Sequence, residues 1–224
     1  MINPEESTIV NDTNQEIESN EEQRFIQIIY GAVKIYFESG ARSNKKVNYF
    51  HSEIQKLLQT NYFHKEDGYS IELEYNIESI NSAGKKKCDI VILKHGKPYI
   101  IIPVKIIMTN FKQNKNNYWE SFTGEITHIK WKNPNIIIIP INVLMNKTPY
   151  LDDKKKIIKF EDVGITDIQN YSELITRKLC YDVINYIVEV EHIKKKDEYF
   201  DKIIPINKFI TPYRSFDLIF KSLV

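Results

Sequence analysis

The chain has 224 residues, of which 42% are hydrophobic and 12% aromatic, as is typical of a folded domain of ordinary size. No apolar stretch approaches the roughly 18 residues of a membrane helix, and the N-terminus lacks a signal-peptide pattern, so we expect a cytoplasmic protein without a membrane partner. The two cysteines, Cys88 and Cys180, are too few for a disulfide framework or a cysteine zinc site.

The net charge of +1 conceals an acidic N-terminus. Residues 1–23 carry seven acidic and no basic side chains, which leaves a net charge of +8 on the remainder. Residues 1–20 are polar and almost without large apolar groups, so we expect a disordered acidic tail there and a single domain over residues 21–224. A basic body of this kind is compatible with a polyanionic partner.

Hydrophobic periodicity predicts two helices after the tail. The first begins near Glu21 and continues to Tyr36 with 3.6-residue spacing, before a break at residues 40–44. The second runs from about 47 to 60 and carries five apolar residues on one face: Val47, Phe50, Ile54, Leu57 and Leu58.

Three predicted strands follow the second helix. Residues 70–80 alternate between apolar and polar side chains, which indicates a half-exposed strand. Residues 88–94 and 99–107 are apolar runs joined by a tight polar turn, which predicts a hairpin. Asp89 interrupts the first of these runs, and Lys105 stands near the end of the second.

The second half of the chain is predicted to begin with a helix over about 115–131 and a fully buried strand over 136–139. An irregular segment over 142–165 and a long helix over about 168–190 are expected next. Because the buried strand follows a helical crossover, it should lie parallel to a neighbour. The expected fold class is therefore α/β, with a central mixed β-sheet flanked by helices.

This order of elements, together with Asp89 and Lys105, resembles the PD-(D/E)XK nuclease superfamily, which includes many type II restriction endonucleases. The resemblance covers roughly residues 45–141, and residues 104–114 are similar to one branch of restriction enzymes. It implies a restriction-endonuclease-like core and an endonuclease that cuts double-stranded DNA by phosphodiester hydrolysis. It also implies Mg²⁺ as the cofactor, which Mn²⁺ can replace, and a homodimer, because cutting both strands needs two sites.

The resemblance implies that Asp89 binds the metal and that Lys105 orients a water or stabilises charge on a phosphate. Pro103 stands where the family has a second carboxylate, two residues before the lysine. Some enzymes of this fold carry that group on the following helix, which makes Glu125 and Glu120 the candidates. Periodicity favours Glu125, because a carboxylate in an apolar stripe needs a cation or hydrogen-bond donors, whereas spacing from the lysine favours Glu120.

Several other residues are weaker candidates. Glu53 flanks the apolar stripe of the second helix and is a further candidate metal ligand, and Glu74 on the first strand is either a site residue or part of a solvated face. The five histidines, including His51, lack metal-ligand spacing and are expected to be ordinary surface or boundary residues. Four residues around the start of the third helix are candidate nucleic-acid contacts or helix caps: Lys112, Gln113, Asn114 and Asn117.

Two classes of function remain open from the sequence. The first is the metal-dependent DNA endonuclease that the resemblance implies. The second is a nuclease fold that no longer cuts, because Pro103 replaces a carboxylate, and that binds nucleic acid or a partner protein instead. The chain has no Walker loop, no G-x-G-x-x-G and no G-x-S-x-G motif, so nucleotide-binding and serine hydrolase functions have no support.

Overall fold

Helices pack on both faces of mixed β-sheets in this protein. The computed structural model describes residues 4–39, 43–152, 154, 156–193 and 202–224. Within these ranges the helices are α1 (Pro4–Ser39), α2 (Lys45–Asn61), α3 (Phe111–Lys132), α4 (Ser172–Thr176) and α5 (Phe216–Phe220). The strands are β1 (Tyr69–Glu78), β2 (Lys85–Lys94), β3 (Lys97–Ile102), β4 (Val104–Ile107), β5 (Ile137–Ile138), β6 (Ile141–Met145), β7 (Lys147–Leu151), β8 (Ile157–Asp162), β9 (Ile184–Ile193) and β10 (Lys202–Phe209).

Two four-stranded sheets, in the orders β1-β2-β3-β5 and β10-β9-β6-β4, form the centre of the molecule. The pairs β1–β2, β2–β3 and β9–β10 are antiparallel, whereas β3–β5, β4–β6 and β6–β9 are parallel. The N–H of Ile139 donates to the carbonyl of Ile101 and the N–H of Ile141 donates to that of Pro103, each at 2.9 Å. Strand pairing therefore continues from the first sheet into the second. Strands β7 and β8 form a separate antiparallel hairpin.

Regular strand pairing is interrupted at one level, where the two sheets join. Glu74 and Asp89 lie opposite each other, between the regular pairs Leu73–Ile90 and Tyr75–Cys88. The β2–β3 register places Asp89 opposite Pro103 in the same way. The parallel register is the same for β3–β5 and β4–β6, so Pro103 faces Pro140. We call these four residues, Glu74, Asp89, Pro103 and Pro140, the crease.

The crease changes which face of the strand each side chain occupies. Residues two apart in a regular strand face the same side. Leu73 nevertheless packs with the core beneath α1 and α2, while Tyr75 packs with the core beneath α3. Glu74 between them has a φ of 54°, in the left-handed region that residues other than glycine rarely adopt. This one backbone rotation accounts for the switch of faces along β1.

Two hydrophobic cores cover the sheets. The first lies against α1, α2 and α5, and the second lies against α3 and α4. Ile100, Ile101 and Ile102 of β3 are all fully buried and alternate between the two cores. Burial on both faces explains why this strand is a continuous apolar run. The α/β class and the flanking of a mixed sheet by helices are therefore confirmed.

Several predicted elements differ from the structure. The predicted helix over 168–190 is wrong, because β9 occupies most of its second half and the helical part is limited to a 3-10 turn over Gln169–Tyr171 and the short α4. The prediction of an irregular segment over 142–165 is also wrong, because most of β6 and the whole β7–β8 hairpin lie there. The predicted strand 99–107 is interrupted at Pro103, since proline has no N–H to donate. None of the helices in the described ranges has the length and apolar content that crossing a membrane requires.

Helix α1 is longer than the sequence predicts, because it begins at Pro4 rather than near Glu21. The predicted disorder of residues 1–20 and the single domain over 21–224 stay predictions. From Glu21 onward α1 is tied to the rest of the chain. The Glu21 carboxylate accepts hydrogen bonds from the Tyr62 and Tyr213 hydroxyls and from the N–H of Phe216.

Replacing Phe25 by alanine should strongly destabilise the protein. Phe25 is fully buried, and its ring packs against five others: Phe50, Tyr186, Phe209, Tyr213 and Phe216. We expect the free energy of unfolding in urea to fall by about 3–5 kcal/mol. Tyr30→Ala, a change at a residue of the same helix that is 37% exposed, is the control and should have a much smaller effect. Equal losses would contradict the packing of α1 on the first core.

Candidate metal centre

Three side chains from different elements meet at the crease. His51 of α2, Glu74 of β1 and Asp89 of β2 each offer one nitrogen or oxygen atom, and these atoms lie within 4.8 Å of one another. The Nδ1 of His51 is 3.7 Å from Oε1 of Glu74, which is too long for a hydrogen bond. One imidazole and two carboxylates at this spacing could hold a divalent cation between them.

Asp89 is held in place by the backbone beside Pro103. Its Oδ2 accepts a hydrogen bond of 2.7 Å from the N–H of Val104. The β2–β3 pairing ends at Ile90 and Ile102, and just beyond it the Asp89 carboxylate gives the Val104 N–H an acceptor. The carboxylate is thereby oriented through one of its two oxygens.

Glu74 joins the cluster from β1, where it has an unusual backbone conformation. It stands opposite Asp89 in the β1–β2 register, and its φ of 54° marks the point where β1 changes faces. Its Oε2 pairs with Nζ of Lys87 at 3.0 Å, and its Oε1 is the atom nearest His51. Backbone strain of this kind is often found at functional sites.

His51 is 2% exposed, and its Nε2 has no hydrogen-bond partner among the described residues. A buried polar group left without a partner costs about 1–3 kcal/mol. Burial lowers the pKa of the imidazole below its usual value, Asp89 and Glu74 oppose that change, and Lys105 adds to it. His51 is therefore a neutral imidazole at pH 7, the form that binds metals.

Lys105 lies beside the cluster on β4, directly after the residue whose N–H holds Asp89. It is partly buried, and its charge acts on His51. Across the parallel strands it aligns with Asn142 and Asn185, whose side chains are hydrogen-bonded to each other at 2.8 Å. The hairpin expected from the sequence thus places an acid and a lysine on neighbouring strands.

The three other glutamates proposed from the sequence lie outside the His51–Glu74–Asp89 cluster. Glu125 of α3 is mostly buried, as its place in the apolar stripe predicts, and pairs with Nζ of Lys86 at 3.1 Å. Glu120 is exposed on the same helix. Glu53 pairs with Lys56 at 2.7 Å on the surface of α2.

Glu125 is nevertheless close to the strand that carries Asp89. Burial raises the pKa of the Cys88 thiol to about 12, and the charges of Glu125, Asp89 and Glu74 add to this effect. Cys88 is therefore a protonated thiol at neutral pH in the metal-free protein.

Two of the four candidate nucleic-acid contacts form hydrogen bonds with Asn110, the residue before α3. The amide of Asn114 donates to the carbonyl of Asn110 at 2.9 Å, and Gln113 accepts a hydrogen bond from the Asn110 side chain at 3.1 Å. Lys112 and Asn117 have exposed side chains. Contact with nucleic acid by any of these four residues stays a prediction.

Sequence reasoning missed His51 as a member of the cluster, because its neighbours there are on distant strands rather than one helical turn away. The helical pattern did contain a signal. His51 lies four residues after Val47 and three before Ile54, so it belongs to the buried stripe of α2. A histidine in such a stripe needs a partner for its ring nitrogens.

Comparisons of the chain with family models, with curated proteins and with solved structures give no match.

The hydrogen bond from Val104 to Asp89 can be tested without metal. Asp89→Asn keeps an acceptor for the Val104 N–H, whereas Asp89→Ala leaves that N–H without a partner. Both changes remove the negative charge next to Glu74, so their difference isolates the hydrogen bond. We expect Asp89→Ala to be less stable than Asp89→Asn by about 1–3 kcal/mol in urea unfolding with EDTA present. Equal stabilities would contradict this role of Asp89.

The burial of His51 predicts a pH dependence of stability in the metal-free protein. As the pH falls below about 6.5, the unfolded chain takes up a proton at His51, but the folded protein resists because burial lowers its pKa. Above that pH, protonation of His51 does not lower the free energy of unfolding, and below it the free energy of unfolding falls. Between about pH 7.5 and 5.5, wild type should therefore lose more unfolding free energy than His51→Gln. Parallel curves for the two proteins would contradict the prediction.

Proposed function

We propose that this protein is a metal-dependent DNA endonuclease with a restriction-endonuclease-like core, which hydrolyses phosphodiester bonds at the crease. The observation that carries the proposal is the convergence of His51, Glu74 and Asp89 beside Lys105. A cation site next to a lysine is the arrangement that metal-assisted phosphodiester hydrolysis requires.

The residues at the crease fit a divalent cation. His51 brings a neutral imidazole with no hydrogen bond at Nε2, and the two carboxylates bring negative charge that would repel without a cation between them. In the proposal, Glu74 supplies the second carboxylate, which the family has at the position of Pro103. Glu74 and Pro103 are both opposite Asp89, on the two sides of β2. When bound, the cation supplies Lewis-acid stabilisation of the scissile phosphate.

The side chains around that position have distinct roles in the proposal. Asp89 and Glu74 hold the cation, and the N–H of Val104 fixes the orientation of Asp89. Lys105 contacts the attacking water or a nonbridging phosphate oxygen and stabilises the charge that develops there. Mg²⁺, with Mn²⁺ as a substitute, is the cofactor that the resemblance to this nuclease superfamily implies.

Double-stranded DNA is the proposed substrate, and a homodimer is the proposed assembly. The net charge of +8 on residues 24–224 favours a polyanion. Lys112 and Asn117 are exposed and available to contact DNA. One site per chain cuts one strand, so cutting both strands would bring two copies together on the duplex.

A second candidate function is a nucleic-acid-binding or partner-binding protein that does not cut. The observation in its favour is Pro103, which stands at the position of the carboxylate in active members of the family. In that case Glu74 does not replace the missing ligand, and its pairing with Lys87 is the permanent arrangement.

The deciding experiment is cleavage of mixed-sequence duplex DNA by the full chain with Mg²⁺ or Mn²⁺. We expect discrete fragments from wild type and a loss of rate of about 100-fold or more in Lys105→Ala and in Asp89→Asn. Glu173→Gln, a change at an exposed residue of α4, controls for the loss of one carboxylate elsewhere. Retained DNA binding without any cutting would support the second candidate function.

The same assay identifies the second carboxylate. Glu74→Gln should reduce the rate as strongly as Asp89→Asn, because the two side chains meet at the crease. If Glu125→Gln or Glu120→Gln abolishes cutting while Glu74→Gln does not, the second carboxylate comes from α3 and the assignment of Glu74 is wrong.

A further inference from the structure

The side chain that joins Glu74 and Asp89 in the cluster is a histidine, His51, and this affects which ion binds there. Mg²⁺ and Ca²⁺ are bound by oxygen ligands, whereas divalent first-row transition ions also bind at mixed nitrogen and oxygen sites, with an affinity that is lowest for Mn²⁺ and higher for ions such as Zn²⁺. His51 is a nitrogen ligand that neither Asp89 nor Glu74 can imitate. An oxygen-only site for Mg²⁺ would not need it.

His51 is placed as a ligand and not as an ordinary core residue. It is 98% buried, and no described residue hydrogen-bonds its Nε2. Its neighbours on the apolar stripe of α2, Phe50 and Ile54, are fully buried hydrophobic residues of the first core. The imidazole is the polar interruption of that stripe, and its Nδ1 faces Glu74.

The carboxylates at the crease are already oriented by other partners. Asp89 uses one oxygen to accept from Val104, and Glu74 uses one to pair with Lys87. Each has its other oxygen for the cation. Three protein ligands of mixed nitrogen and oxygen type leave further coordination positions for water and for a phosphate oxygen.

We infer that His51, Glu74 and Asp89 form a site selective for a divalent transition-metal ion over Mg²⁺, with His51 as the selectivity-determining ligand. This inference rests on the proposed function only in placing the cation at the same crease. Metal binding itself can be measured without any nucleic acid.

Binding of Mn²⁺ to the full chain is followed by the loss of the electron paramagnetic resonance signal of the free aqueous ion, and Mg²⁺ affinity is measured by competition. Wild type should bind Mn²⁺ at least about tenfold more tightly than Mg²⁺. His51→Ala removes a direct ligand and should weaken Mn²⁺ binding by at least about 10–100-fold, the loss that follows removal of an outer-shell partner, and change Mg²⁺ binding far less. Asp89→Asn should weaken both ions.

Two further variants complete the test. His51→Gln replaces the imidazole ring by a side chain with an amide oxygen, so this variant should also lose the preference for Mn²⁺ over Mg²⁺. It tests the inference if His51→Ala does not fold. His128→Ala, a change at an exposed histidine of α3, is the matched control and should bind as wild type does. Equal affinity of wild type for the two ions, or equal weakening of both by the His51 variants, would overturn the inference.

Cleavage measured on the same proteins separates this inference from the proposed function. Selective, His51-dependent Mn²⁺ binding without DNA cleavage supports the metal site and removes the nuclease proposal. A different outcome is DNA cleavage by wild type that is equally rapid with Mg²⁺ and Mn²⁺. If His51→Gln also cleaves at the same rate with both ions, the result supports the nuclease proposal and overturns the inferred metal selectivity.

Discussion

The hydrogen bond from Val104 to Asp89 is the constraint on which the arrangement at the crease depends. Two prolines, Pro103 and Pro140, face each other in adjacent parallel strands and have no N–H of their own, although the N–H of Ile141 still donates to the carbonyl of Pro103. Directly after Pro103, the N–H of Val104 donates to the carboxylate of Asp89. This bond fixes the carboxylate at a defined position next to the strand that carries Lys105.

Strong periodicity explains which parts of the fold could be predicted. Helix α2 follows a single helical pattern and strand β2 is a largely apolar run, and their bounds agree with the prediction within a few residues. Strand β9 was misread as a helix because it is buried on both faces, so Ile184, Ile187 and Val188 show no alternation. Pro149 lies in the segment over 142–165 that is expected to be irregular, but it belongs to the two-stranded β7–β8 ribbon, where a missing N–H is tolerated.

The candidate site could be predicted only in part. Asp89 and Lys105 were found because polar residues in apolar strands are conspicuous and because their order matches a known family. The approach of Glu74 and His51 depends on a backbone rotation at Glu74 and on the packing of α2 over β1. Such contacts between distant elements leave no local pattern, although the place of His51 in the stripe of α2 identifies it as buried.

The ion pair between Lys87 and Glu74 has a consequence for the order in which ligands bind. Under the proposed function, a cation bound at the other oxygen of Glu74 would offset the charge of the same carboxylate and weaken its exposed pair with Lys87, which contributes at most about 1 kcal/mol. The ammonium group of Lys87 would then leave Glu74 more readily to pair with a phosphate. Cation and polyanion would then each increase the affinity for the other by the same factor, as thermodynamic linkage requires.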